Sequence, residues 1–407
     1  MEFDSIIDRR GSGALKTDAL RERFGRDDLI PLWVADMDFE SPSFVREAVM
    51  REAANPVLGY AVEHPEWRHA IIDWQRRRHG WDINPEWISF IPGIVKGIAL
   101  AVCFLTEPGD KVIIQPPVYH PFRFVTVDNG RVCVENPLIQ NPDGTFGMDF
   151  DNLEKAAPGA RLLILSNPHN PGGKVWSPET LRRLADICAR HGITVISDEI
   201  HCDLTLPGHV HTPFATVSPE AARISITFGS PSKAFNIPGL ASSWTVVPDD
   251  ALRHRFFSRL EATELCAPCL GQQAAAAAAY LHGDKWLAEM LSYIEGNIDF
   301  IVSYIDAHIP GVKAVRPQAS YLVWLDCRGL GLDHDALQSL FIDKARLALN
   351  DGEMFGAQGH GFMRLNAGSP RSVIQTALGR LAKAVKSLNV NNQNVVPCLR
   401  HVSTPTS

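Results

Sequence analysis

The sequence predicts an α/β fold: a mainly parallel sheet covered by helices, with a smaller companion domain. Three observations carry this. The chain has 407 residues, more than the roughly 250–300 at which a single hydrophobic core stops growing, so a large domain with a smaller companion is expected. Its middle alternates short Val/Ile/Leu-rich runs with longer helical patterns, the spacing of parallel βαβ units whose sheet is buried on both faces. A long amphipathic helix then leads out of that region toward a further strand and a last helix.

The β-runs are KVIIQ at 111–115, RLLILSN at 161–167, ITVISD at 193–198 and ISITFG at 224–229. SPETLRRLADICARH at 177–191 is an amphipathic helix, with Ser177 and Pro178 at its start and Gly192 just past its end. Leu287, Leu291, Ile294, Ile298, Ile301 and Ile305 recur at intervals of three and four, which predicts the long helix. SYLVWLD at 320–326 reads as a strand and 369–388 as the last amphipathic helix. The expected division is a segment 1–49 packing with the small domain, a large domain 50–285, a small domain 286–390 and a mobile tail 391–407. No internal repeat is present.

Composition excludes several classes. Hydrophobic residues make up 45% and charged residues 21%, and the net charge is −7. This is a globular balance without a basic block, so no nucleic-acid partner is expected. The nearest approach to a membrane span, 224–247, is broken by Pro231, Lys233 and Pro238, and no membrane association is expected. The first residues carry charges and no apolar run, which argues against a secretory leader. Eight scattered cysteines suit a reduced, cytoplasmic protein. Cys266-Ala-Pro-Cys269 has no second pair to complete a zinc site, and a redox use of it is the weaker reading. His209-Val-His211 lacks further ligands at metal spacing, so no metal is expected.

Lys233 is the most informative residue, the only charged side chain among the twenty-four residues from Ile224 to Val247. Desolvation depresses a lysine pKa and makes the amine nucleophilic enough for Schiff-base chemistry; taken alone, a buried stem with its ammonium in water is the commoner state. Asp198 ends the apolar run ITVIS and emerges at the carboxyl edge of the sheet, where α/β folds bind ligands. Asn167-Pro-His-Asn-Pro-Gly-Gly173 follows the neighbouring run and places Asn170 at the same edge. Gly93, Ile94 and Val95 lie where a β-run turns into a helix, so their amides form a candidate phosphate seat. Ser230 and Ser232 flank the lysine as hydroxyl donors. The phosphate loop GxxxxGK[ST] is absent.

Taken in order, YHPF after Pro116-Pro117, NPHNPGG, SDEIH, SPSKAFNIPG and FMRLNAG resemble the fold-type I pyridoxal-phosphate enzymes of the class I/II aminotransferase superfamily. LWVADMDF at 32–39 and the histidine of SDEIH are similar to the MalY/PatB-type cystathionine β-lyases within it. The resemblance runs from the N-terminus to about residue 388, and it implies that the smaller domain is an α+β domain built from both chain ends. It implies pyridoxal 5′-phosphate as cofactor, held by Lys233 as a Schiff base. Asp198 then pairs with the pyridine nitrogen, Asn170 bonds the phenolic oxygen, and Tyr119 stacks on the ring. Gly93, Ile94, Val95, Ser230 and Ser232 hold the phosphate. Tyr60 reaches it from the partner of a homodimer with shared active sites. His201 stands where aminotransferases carry a tyrosine; contact with the phenolic oxygen and orientation of Asp198 are both open to it. Arg364, with Asn170 and Ala35, binds the substrate, the arginine clamping its α-carboxylate.

The activity implied is C–S β-lysis of a sulfur amino acid, with Lys233 as the catalytic residue moving the α-proton, giving a thiol, pyruvate and ammonia. An aminotransferase of the same fold is the first alternative. A non-catalytic ligand sensor is the remote one, and no motif residue recommends it. Specificity is expected from residues 33–36 and the loop 350–355.

Overall fold

The continuous apolar runs of the middle of the chain are strands buried on both faces, and in the computed structural model, which describes residues 3–267 and 269–393, they build one seven-stranded sheet. Across it the order is Ile88–Ile91, Ser243–Val246, Ser225–Gly229, Thr194–Asp198, Ala160–Ser166, Lys111–Ile114 and Val132–Glu135. Only Ser243–Val246 runs antiparallel to its neighbours; the other pairings are parallel. The mainly parallel sheet is therefore as expected. Ser243–Val246 is a strand the sequence reading did not separate from the long apolar stretch around Lys233.

Register matters for the site. Ser166 pairs with Asp198, and Asp198 with Phe228, so three adjacent strands end in line. The loops carrying Asn167, Glu199 and Ser230 all leave from that one edge.

The flanking helices form where expected. Pro178–Arg190 starts from Ser177, whose hydroxyl accepts the Thr180 amide at 3.2 Å, and buries Leu181, Leu184, Ala185, Ile187 and Cys188. Gly192, at φ +67°, follows its end. Asp284–His308 is the predicted long helix, with Leu287, Ile294, Ile298, Ile301 and Ile305 in the core.

A second, antiparallel sheet follows, ordered Lys313–Val315, Leu322–Asp326, Phe362–Asn366, Asn350–Asp351. The N-terminal stretch joins it: Ile30 and Pro31 pair with Leu347 and Ala348, and the Asn366 amide donates to Leu32 O at 3.0 Å. The last helix, Arg371–Gln393, lies against Asp284–His308 through Ile374, Ala377, Leu378 and Leu381. It runs past Leu388 into the stretch expected to be tail; the remainder of that stretch, 394–407, lies outside the described residues. Among the described residues no helix is long and apolar enough to cross a membrane, and Cys266 and Cys269 are both free thiols.

Candidate active site

A cavity of about 270 Å³ opens at the carboxyl edge of the large sheet. Lys233, Asp198, Asn170, Tyr119, His201, Ser232, Ala35, Gly93, Ile94 and Val95 all line it, whereas Ser230, Arg364 and Tyr60 do not.

One end is a helix N-terminus. Ile94–Leu105 begins directly after strand Ile88–Ile91, and no side chain caps it. Gly93 turns the chain at φ +108°, a conformation that a β-carbon disfavours. Its amide is not free, contrary to expectation: it donates to Ile91 O at 2.9 Å. The donors without a partner are one residue further on, the amides of Ile94, Val95 and Lys96, and Lys96 also lines the cavity. Three unpaired N–H groups at the positive end of a helix dipole are an anion seat. Gly97 lets this helix approach the sheet, since a β-carbon there would lie 2.6 Å from Ile91 Cγ2 and 2.9 Å from Phe228.

The serines divide their tasks. Ser232 faces the cavity. The Ser230 hydroxyl lies 2.5 Å from Ser242 O and 2.9 Å from Ser232 Oγ, and accepts the Ser232 amide at 3.1 Å. Ser230 therefore props Ser232 instead of pointing at a ligand.

Lys233 sits in the loop after Ser225–Gly229. Its Nζ donates to Ala35 O at 2.6 Å. Burial pulls its pKa down to about 8; Asp36 and Asp198 push it back up and Arg364 adds to the decrease. Asp198 is buried at the strand end, where its carboxylate accepts one bond, from the Ile200 amide at 3.1 Å. Burial pushes it up to about 7. A buried carboxylate with a single neutral donor is matched by a cationic N–H, which a protonated pyridine supplies.

His201 is buried, with Nδ1 unpartnered, and burial pulls its pKa down to about 3, so the ring is neutral. No hydrogen bond joins it to Asp198, which removes direct orientation of that carboxylate from its two readings. The Tyr119 ring packs edge-on to Phe122 at 5.9 Å. The Asn170 amide is held by Ser166 Oγ at 3.0 Å, and its Oδ1 accepts from Arg364 Nη1 at 2.9 Å.

Arg364 comes from the second sheet, in strand Phe362–Asn366, and is buried. Its other contacts are Asn350 Oδ1 at 2.6 Å, Trp33 O at 3.2 Å and the Phe355 ring at 4.8 Å, while Nε has no partner. Burial draws its pKa down to about 10, so it stays charged. Its hydrogen-bond acceptors are all neutral, so no carboxylate among the described residues bonds this buried charge. Tyr60 is fully exposed, in a row with Val57, Leu58 and Val62.

Several functional contacts escaped the sequence reading. Tyr321 OH donates to Ala35 O at 2.9 Å, and Asn366 Nδ2 donates to both Val34 O and Asp36 O at 2.6 Å. Asn236 brackets the same segment, donating to Met37 O at 2.9 Å and Phe39 O at 2.8 Å. The two asparagines did leave a signal, a lone amide within an apolar run; Tyr321 left none. Beneath the site, Glu199 accepts from Ser197 Oγ at 2.8 Å and the Phe214 amide at 2.9 Å, and meets His211 Nε2 at 2.9 Å. That pair accounts for the second histidine of His209-Val-His211.

Lysine, carboxylate, amide side chain and anion seat at one sheet edge, faced by an arginine from a second sheet, define a class of enzyme, and the comparisons agree. The model of the aminotransferase class I and II family matches residues 27–381, and the chain belongs to that family. Its similarity is marked to cystathionine beta-lyase PatB of Bacillus subtilis, 42% identical over 387 residues that cover 95% of this chain and 100% of that protein. Cystalysin from Treponema denticola, whose structure contains a pyridoxal 5′-phosphate cofactor, superposes with a TM-score of 0.91 at 35% identity over 95% of this chain and 99% of its own. The pyridoxal-phosphate-bound C–S lyase from Staphylococcus hominis gives 0.88 at 32% identity, over 94% and 97%.

Proposed function

We propose that this chain is a pyridoxal 5′-phosphate-dependent carbon–sulfur β-lyase. It cleaves the Cβ–S bond of an L-cysteine derivative such as cystathionine, releasing a thiol, pyruvate and ammonia. The observation that carries the reading is full-length similarity to a cystathionine β-lyase with the Lys233, Asp198 and Asn170 constellation intact around one cavity.

The residues present fit the cofactor. Lys233 Nζ is the point of covalent attachment, Asp198 the partner of the ring nitrogen and Tyr119 the stacking face. Asn170 and His201, which line the cavity, would meet the cofactor's phenolic oxygen. The amides of Ile94, Val95 and Lys96 with the Ser232 hydroxyl receive the phosphate. Bound there, pyridoxal phosphate supplies an electron sink for negative charge developing at the substrate Cα.

The chain's own residues do the rest. Arg364 would grip the α-carboxylate and, with Ala35 beside Lys233, fix the orientation of the substrate in the site. The amine of Lys233, its pKa drawn down to about 8 by burial, takes the α-proton onto Nζ. Of the residues 33–38, Ala35 lines the site and its carbonyl accepts from Lys233.

The enzyme is a homodimer in this reading. Val57, Leu58, Tyr60 and Val62 form an exposed apolar segment suited to a second copy, whose Tyr60 completes the phosphate seat. The two sheets correspond to a large and a small domain, and the free cysteines suit a reducing cytoplasm.

Incubation with L-cystathionine and no keto acid tests the activity. Catalytic release of pyruvate and thiol supports the lyase. One equivalent of reaction, with loss of the visible absorbance, makes the protein an aminotransferase instead.

A further inference from the structure

Residues 33–38 form a strap whose backbone is pinned from the protein body. Five consecutive carbonyls, from Trp33 to Met37, accept side-chain hydrogen bonds: from Arg364, Asn366, Lys233 with Tyr321, Asn366 again, and Asn236. A segment so held presents its side chains in fixed places.

The Asp36 side chain, 13% exposed, is fixed by the N-terminal residues. Arg9 grips it with two bonds, at 3.1 and 2.7 Å. Lys16, with no exposed side-chain surface, lies 3.6 Å from it and 2.8 Å from Asp38. Arg9 also reaches Asp38 at 3.0 Å. Two cations and two carboxylates are thus drawn together on the segment whose Ala35 carbonyl accepts from Lys233 at 2.6 Å, one residue from Asp36. Replacing such a network by apolar side chains is often neutral or stabilising, so its retention here calls for a role beyond stability.

We propose that Asp36 is a positioning residue for Lys233: the strap holds its negative charge beside the amine, and Arg9 and Lys16 set how much of that charge the amine feels. The inference rests on Lys233 as the cofactor-bearing lysine. The groups facing Lys233 are Asp36 from the strap, Asp198 from the parallel sheet, Arg364 from the second sheet, and the neutral rings of His201 and Tyr321. Burial is the largest influence on the amine, and Asp36 is the strongest of the charges acting on it. Asp36 therefore favours the protonated nitrogen at position 233, against burial and Arg364.

Two substitutions separate a charge effect from a scaffold effect. In Asp36→Asn the amine loses its main anionic neighbour while Arg9, Lys16 and Arg364 remain. In Arg9→Met the strap keeps its five carbonyl bonds, but Asp36 loses its bidentate partner and its charge is less balanced. Loaded with pyridoxal phosphate and titrated without substrate, Asp36→Asn should lower the pH midpoint of the visible absorbance by about one pH unit. Arg9→Met should raise it. Asp8→Asn, in an exposed pair with Arg10, serves as control and should leave it in place. An unchanged midpoint in Asp36→Asn, whatever its melting temperature, overturns the proposal. If that variant does not fold, a fall or no change in Arg9→Met does so. Wild-type protein that takes up no cofactor refutes the functional reading itself, a separate outcome.

Discussion

The carbonyl oxygen of Ala35 accepts two hydrogen bonds at once, from Lys233 Nζ at 2.6 Å and from the Tyr321 hydroxyl at 2.9 Å. The two donors come from different sheets and meet on the strap. Once the lysine nitrogen is committed to the cofactor, Tyr321 is the donor left to satisfy that buried oxygen. Tyr321→Phe should therefore cost little in the ligand-free protein, where Lys233 still donates. In the loaded protein it should cost about 1 kcal/mol or more, because the carbonyl is then unpaired. Melting temperatures of the wild type and of Tyr321→Phe, each with and without pyridoxal phosphate, check this: the cofactor-induced increase should shrink in Tyr321→Phe.

Lys233→Ala should abolish pyruvate release and leave the fold intact, since the side chain contributes one hydrogen bond and no core packing. Borohydride should attach the cofactor's mass to the wild-type chain and add none to the variant. Retention of full lyase activity would falsify the assignment of Lys233.

Arg364 is judged by how it is held. Its partners Asn170, Asn350 and Trp33 are all neutral, so its charge remains available to a substrate carboxylate. Arg364→Lys keeps the charge but loses the planar fork, and kcat/KM should fall on the order of 100-fold, with KM rising. Asn350→Ala should produce a smaller loss of the same kind, because it removes only one restraint on the guanidinium.

The pair Asp198 and Lys233 sets a pH window for the ligand-free protein. Asp198 is raised from 3.8 to about 7 by burial, so the folded state binds the extra proton and stability falls as pH rises across that interval. Lys233 is lowered from 10.5 to about 8 by burial, so stability recovers as pH rises from about 8 toward 10.5. Both contributions are at their lowest between pH 7 and 8. The increase in melting temperature on adding pyridoxal phosphate should be largest in that window. Asp198→Asn should raise the ligand-free melting temperature at pH 7.5 while lowering turnover by at least about 100-fold, the trade expected where a site stores strain. Calorimetry across pH 5 to 10 reads both.

The strand-borne part of this site was legible in the sequence because parallel strands end at one edge: Asp198 closes its strand and Asn170 and Lys233 follow theirs by four residues, so reading the strands placed the residues. Arg364 was reached through motif resemblance, since nothing in FMRLNAG says that its strand belongs to another sheet facing the first. Asp36 and Tyr321 were out of reach. Tyr321 meets Ala35 across 286 positions of sequence; the pairing of Ile30 and Pro31 with Leu347 and Ala348 and the bonds of Arg364 and Asn366 to the strap bring those regions together. The one-residue offset in the phosphate seat has a smaller cause. Whether Gly93 N–H is free depends on a local turn to Ile91 O, and helix boundaries are not fixed by composition at single-residue precision.

Shared active sites make a prediction that no single variant tests. Lys233 lines its own chain's cavity, whereas Tyr60 is fully exposed on that chain and is assigned to the phosphate of the partner subunit. In a two-fold dimer each site then takes Lys233 from one chain and Tyr60 from the other. Mixing Lys233→Ala with Tyr60→Ala protein, after unfolding and refolding together, yields mixed dimers in which one site has lost both residues and the other has lost neither. With random pairing, half the dimers are mixed and half of their sites are native, so the mixture should recover about a quarter of wild-type activity from two nearly inactive parents. If Tyr60 served its own chain, every site in the mixed dimer would carry one defect and nothing would be regained. Activity of the refolded mixture against the unmixed controls decides between the two arrangements.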